Sequence, residues 1–266
     1  MACRQKNWRQ LLLPAASNEV ARHADDLLLL VDRSVPEEAV EVPVIHGYIA
    51  GMFWRARRLY EGVLLLVRAH LPEESAILAR SLFDDSMRLQ QLEAEPAHRT
   101  ALVLRWAKDS IAEERGLLMS AVQCGLDTDV SPMLTRLDER LREIGVYAKR
   151  HNVKKARAFQ QVKDAAFRFG RKEDYWTYEW AHEAVHGTDI VWMHARVAPT
   201  EGSAMFHGKT SDPGTLATSM QFAARSMADA ASATFAIFEW MPVPDFHQPV
   251  RAIDQLIDTV RRSLNE

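Results

Sequence analysis

The chain has 266 residues, of which 47 % are hydrophobic and 26 % charged, with a formal net charge of −3. Its pI is near 6.4. That length accommodates one large core or two small ones, and the composition is that of an ordinary globular protein. Basic residues are interspersed with acids, so the electrostatic footprint of a nucleic-acid binder is absent.

The two cysteines, Cys3 and Cys124, stand outside any Cys-x-x-Cys or Cys/His pattern. This argues against a thiol-built zinc site or a disulfide scaffold. The longest apolar runs, 27–31 and 63–67 among them, fall far short of the ~20 residues that span a bilayer. The opening residues contain no uninterrupted signal-peptide core. A cytoplasmic protein with neither a membrane nor a nucleic-acid partner is the expectation.

In chain order the elements read as helices. Ser17, Asn18 and Glu19 open a helix that stops before Ser34-Val35-Pro36, and Pro36 with Glu37 and Glu38 begins the next. A long apolar-periodic helix runs from Ile45 to His70. Pro72 with Glu73 and Glu74 makes a good first turn for a helix to about Ala94, with Pro at N1 and acids at the positive end of the dipole. A further helix runs from near Pro96 to Cys124-Gly125, where Gly supplies a left-handed cap. Helices follow from Asp129 or Ser131 to Tyr147, from about Lys154 to Phe169, and from about Lys172 to Arg196.

Residues 197–214 hold two Pro and three Gly and read as a long mobile loop. An Ala-rich helix over 215–240 and a C-terminal amphipathic helix over about 245–264 complete the chain. No pair of alternating runs flanks an Asn-Gly or Asp-Gly turn. The expectation is an all-α fold, a single-domain helical bundle of about eight helices covering residues 1–266.

Two segments point to a site. Tyr175, Tyr178, Glu179, His182, His186, Asp189 and Met193 share one stripe of a helix at about 100° per residue. Trp176, Trp180, Val185, Ile190 and Trp192 flank it, which predicts a buried helix with a titratable stripe. In the second segment, Arg80 and Asp84 are one turn apart, with Ile77, Phe83 and Met87 beside them and Leu78, Leu82 and Leu89 on the other side. A buried charge needs a partner, and the natural partner is the stripe around Glu179 and His186. Asp85 reads as a surface or secondary group. The competing reading makes Arg80 and Asp84 a structural ion pair.

Arg80-x-x-x-Asp84, followed about a hundred residues later by an aromatic-rich helix with Tyr178 and His186, resembles a family of bacterial all-helical domains of unknown function. The signature of that family is an Arg-x-x-x-Glu helix and a Tyr…Ser-x-x-x-His helix. Here Asp84 stands in place of Glu and His182 in place of Ser. The resemblance covers roughly residues 45–196 and implies a helical fold with two site helices, without a mechanism.

Metal chemistry is the sharpest hypothesis the residues offer. His182 and His186 at i and i+4 can present two imidazoles to one divalent ion, Glu179 or Asp189 can be a third ligand or orient a His, and His46 can complete the set. This His plus His-x-x-x-His arrangement is similar to that of DinB-like metal-binding bundles. A carboxylate-bridged di-iron site lacks its second Glu-x-x-His, since Glu95 and His98 enclose Pro96. In the competing reading, His182 and His186 are hydrogen-bonded core histidines.

The Arg…His motif of HEPN-type ribonucleases is absent, as are G-x-S-x-G, phosphate-loop and H-E-x-x-H motifs. Trp54, Trp176 and Trp180 are candidates to wall an apolar pocket, and His207 to close over it. Arg55, Arg57 and Arg58 read as a solvated or acid-paired face.

The resulting expectation is a polar site in which His186, Arg80, Asp84 and Glu179 are the catalytic candidates. Tyr175, Tyr178, Trp176 and Trp180 contact a small-molecule ligand, and His182, His186 and His46 are candidate metal ligands. His186 would act as base or ligand, and Arg80 would orient an anionic group in a hydrolytic or transfer reaction. The alternative is a non-enzymatic interaction or phage-defence accessory module with a structural polar network. The Ala-rich helix is a candidate homodimer interface.

Overall fold

The structure is a computed structural model that describes residues 2–36, 42–125, 129–153, 157–186, 197–200, 203–206 and 213–265. Side chains are described for 18–36, 42–125, 129–153, 157–181, 216–260 and 262. The fold is all-α. In chain order the helices are α1 (Ala2–Ser34), α2 (Val44–Arg68), α3 (Pro72–Ala94), α4 (Arg99–Gln123), α5 (Ser131–Arg150), α6 (Val162–Arg168), α7 (Lys172–His186), α8 (Pro213–Phe238) and α9 (His247–Asn265).

Most boundaries follow local chemistry. Pro72 sits in the first turn of α3 with Glu73 and Glu74, complementing the helix dipole. Asp129 accepts from the Ser131 amide at 3.0 Å at the start of α5, and Gly125 ends the α4 segment at φ 84°, a conformation open to glycine.

Three expectations change. Helix α1 begins at Ala2 instead of near Ser17, because residues 4–13 are dominated by good helix formers such as Arg, Gln, Lys and Leu. Part of the segment expected as loop pairs as an antiparallel two-stranded hairpin, β1 (Val197–Thr200) with β2 (Ser203–Phe206), Val197 opposite Phe206. Its spacer, Glu201-Gly202, lies outside the Asn-Gly and Asp-Gly signals. The helix expected from Lys154 is described only as α6, from Val162. The helix start at Pro36-Glu37-Glu38, the 187–196 portion of the stripe with Asp189 and Met193, and His207 lie outside the described residues.

Helix α3 is the centre of the bundle, packed between α2 and α8 and touched by α6 and α7. At Gly62 of α2 an added Cβ would lie 2.8 Å from Cδ1 of Leu78 in α3, the end of a flexible side chain. The alanines of α8 at 223, 224, 228, 230, 231 and 233 are fully buried within the chain. They admit Phe83, whose ring lies 4.9 Å from that of Phe222. The Ala-rich face is therefore filled by the chain's own helices. Helix α9 buries Val250, Ile253 and Ile257 at helical spacing, and α1 buries Val20, Ala24, Leu27 and Val31. These two stripes close the bundle at one side.

Candidate functional site

Helix α7 lies on α3, Tyr178 meeting Arg80 and Phe83, and it buries Asp174, Tyr178 and Ala181. These positions are spaced i, i+4, i+7, so one face of α7 is covered and its opposite side is free. Trp176 falls on that opposite side and is 66 % exposed. The expectation of a helix buried around its girth, with Trp176 walling a pocket, is corrected on this point. Trp54 is likewise 43 % exposed, on the outer side of α2. Trp180 is half-buried.

Tyr178 is the hinge of the site. Its hydroxyl accepts from Arg80 Nη2 at 3.1 Å, and the Arg80 guanidinium carbon stands 4.7 Å from its ring centroid, a combined hydrogen bond and cation–π contact. The ring also contacts Phe83 at 5.7 Å and stacks on Tyr175 at 5.7 Å. Tyr175 in turn donates to Glu179 Oε1 at 2.5 Å. That bond, with burial adding to it, pushes the Tyr175 phenol up to about 12. Glu179 therefore faces Tyr175, and the partner of Arg80 on α7 is Tyr178. Arg80 and Asp84 form no direct ion pair.

The acids of α3 are more deeply placed than their local pattern suggests. Burial raises the Asp84 carboxyl above its ordinary range, countered in part by the positive charges of Arg88, Arg80 and Arg55 and by the Tyr178 hydroxyl. Burial likewise raises the Tyr178 phenol, with the Asp84 charge adding to it. Asp85, expected at the surface, has no exposed area. Its Oδ1 accepts from Arg55 at 3.2 Å and from Arg88 at 3.1 Å, while Oδ2 and the Arg80 Nε are buried without a partner.

Burial pushes the Asp85 carboxyl up to about 6, against the pull of Arg55 and Arg88. The correction has a plain cause. Asp85 shares the α3 face of Leu78, Leu82 and Leu89 at i−7, i−3 and i+4, the face that meets α2, and Arg55 reaches it from α2. That spacing is visible in the sequence and is the signal that locates Asp85.

The candidate metal ligands are not all brought to this place. The α2–α3 hairpin turns near residue 70, so His46 and Arg80 lie about 24 and 10 residues from the turn, roughly 20 Å apart along the bundle at 1.5 Å per residue. His46 instead packs against Phe238 at 5.1 Å between ring centroids. Burial and the nearby Arg99 charge lower its pKa. His182 and His186 occupy the last turns of α7, and their side chains lie outside the described ones. Among the described residues, no cluster of three or more His, Cys, Asp or Glu side chains is arranged to hold a metal ion.

A second polar cluster, not foreseen, ties the start of α7 to α8 and α9. Arg171 bridges Asp174 at 2.5 Å and pairs closely with Asp229. Asp229 also accepts from Gln90 at 3.2 Å and lies 3.4 Å from His247. Arg225 joins Asp174 to Asp254 at 3.4 and 2.9 Å. Elsewhere on α2, Arg57 clamps Asp32 with two 2.8 Å bonds and meets Glu61 at 2.6 Å, while Arg58 is exposed. Glu95 is held by Arg157 and Arg168. Among the described residues, no helix is long and apolar enough to cross a membrane.

The sequence pattern of a family of unknown function, DUF5677, matches residues 46–201. That span holds α2 to α7 and the first strand, and so includes both site helices. No curated protein and no solved structure matches the chain.

Proposed function

The chain belongs to this family of unknown function, and from that premise we propose that the α3–α7 contact is a binding site for a small anionic molecule, a carboxylate or phosphate. The observation that carries the reading is charge balance. Three guanidinium groups, Arg55, Arg80 and Arg88, act on Asp84, and among the described residues the further carboxylate coupled to Asp84 and to Arg55 and Arg88 is Asp85. One positive charge is left over in half-buried surroundings, and protonation of Asp85 would leave a second.

A guanidinium removed from bulk water is stabilised by an anion that meets its fork of N–H donors. In this reading Arg80 orients the anion, with Tyr178 fixing the guanidinium from below. Asp84, its carboxyl raised by burial, is the group that exchanges a proton with the bound molecule. His186 serves as base or as ligand to a divalent ion, in hydrolytic or transfer chemistry. A second reading, an interaction or phage-defence accessory module with a structural network, draws on the Arg55–Asp85–Arg88 bridge, which ties α2 to α3.

Calorimetric titration with inorganic phosphate and with succinate tests the proposal, using wild type, Arg80→Gln and an Arg105→Gln control, Arg105 being an exposed residue of α4. Binding to wild type and control that is lost in Arg80→Gln supports the site. No heat from either anion, or equal binding by the Arg80 variant, overturns it.

A further inference from the structure

Helices α4 and α5 form an antiparallel hairpin that leaves the bundle. Beyond Ile111, α4 has no buried residue, and α5 packs on α4 through Leu137 and Ile144. A two-helix arm with water on both broad faces buries little apolar surface. It nevertheless carries large exposed apolar side chains, Leu117 at 72 % and Met133 at 49 %.

Helical geometry puts these two on the same face. Arg115 of α4 bonds Asp138 of α5 at 2.6 Å and marks one broad side of the hairpin. At 100° per residue, Leu117 and Glu114 lie toward the other side of α4, while Met133, Arg136 and Arg140 lie toward the matching side of α5. Glu114, Arg136 and Arg140 are exposed and, among the described residues, are in no ion pair.

We propose that this face is a homodimer interface, two copies packing their α4–α5 arms into a four-helix bundle. The occupant is a second copy because the face is self-complementary. It offers an acid on α4 and two bases on α5 around an apolar pair, and a twofold axis sets the acid of each copy against the bases of the other. The size is adequate. Along α5, whose 20 residues span about 30 Å at 1.5 Å per residue, the hairpin is about 20 Å wide for two helices at their usual spacing. Its flat area of roughly 600 Å² approaches the ~800 Å² per partner of a standard interface.

Sedimentation velocity over a wide concentration range tests this on the full chain. The expected result is a concentration-dependent species of twice the 30.2 kDa chain mass. Arg136→Glu with Arg140→Glu should abolish it, and adding Glu114→Arg should restore it. Leu117→Glu, on the other helix, should abolish it independently, with circular dichroism confirming that each variant is folded. A wild type that stays monomeric at every concentration overturns the proposal, as does a dimer that survives these substitutions or a charge swap that fails to restore it.

Discussion

Arg80 and Tyr178, 98 positions apart, meet through a 3.1 Å hydrogen bond while the guanidinium rests 4.7 Å from the phenol ring centroid. This contact joins the two helices that carry the candidate site, and it separates two contributions that substitution can resolve. Tyr178→Phe keeps the ring and removes the acceptor, so stability should fall by about 1 kcal/mol. Arg80→Leu also removes the cation–π contact and should cost about 1 kcal/mol more. Urea unfolding midpoints at constant slope measure both, and an unchanged midpoint for Tyr178→Phe would show that the bond does not hold α7 on α3.

Asp85 should make stability depend on pH in the direction opposite to that of an ordinary ion-paired carboxylate. Its folded carboxyl, at about 6, holds a proton that the unfolded chain releases near 3.9. The folded state therefore carries the extra proton between about pH 4 and 6, and the Asp85 contribution declines as pH rises through that window and levels off above it. Burial of Asp84 acts with the same sign. Denaturant unfolding of wild type and Asp85→Asn across this range should give a difference that shifts by about 2 kcal/mol in favour of the variant as pH rises. A difference independent of pH would show that Asp85 is ionised throughout.

For His182 and His186, elemental analysis by inductively coupled plasma mass spectrometry separates the two readings. If the pair holds a divalent ion, purified protein carries near-stoichiometric metal that disappears in both His182→Ala and His186→Ala. Absence of metal from wild type, with both variants strongly destabilised, would assign the histidines to a hydrogen-bonded core network.

Arg171 should be among the most sensitive polar positions. It bridges Asp174 and Asp229, and all three side chains are nearly buried, at 13, 10 and 12 % exposure. Arg171→Ala removes the cation shared by two nearly buried carboxylates, leaving Asp174 to Arg225 and Asp229 to Gln90 and His247, and should cost about 3 kcal/mol. Arg171→Lys should recover only part of this, because a point charge cannot serve two acids as the planar fork does. Thermal and urea unfolding read the series, and an effect below about 1 kcal/mol would show the bridge to be solvent-screened.

The polar residues were unequally legible in the sequence. Arg80, Asp84 and Tyr178 were recognisable because chemistry-bearing residues recur at helical spacing on two segments, and the structure brings those segments into contact. Asp85 is less legible because Asp84, the adjacent residue, belongs to the other face, although Leu78, Leu82 and Leu89 mark its own side as apolar. Trp176 is illegible for the converse reason, since an aromatic residue on a helix is compatible with either core or surface until the covered face is known. The Arg171 cluster is not legible in the sequence because its members are scattered over 90–254 with no common spacing.

The sequence by itself determined the helices, most of their ends, the all-α class and the two segments that carry the candidate site. These depend on periodicity, capping residues and proline and glycine positions, all of which act within a few residues along the chain. Only the tertiary structure decided that Arg80 faces Tyr178 instead of Asp84, that Asp85 is buried between two arginines, and that His46 sits at the far end of the bundle. It also decided that the Ala-rich helix is filled by its own chain while the α4–α5 arm is left open. These outcomes depend on which faces of separate helices meet, and burial and charge partners are properties of that meeting.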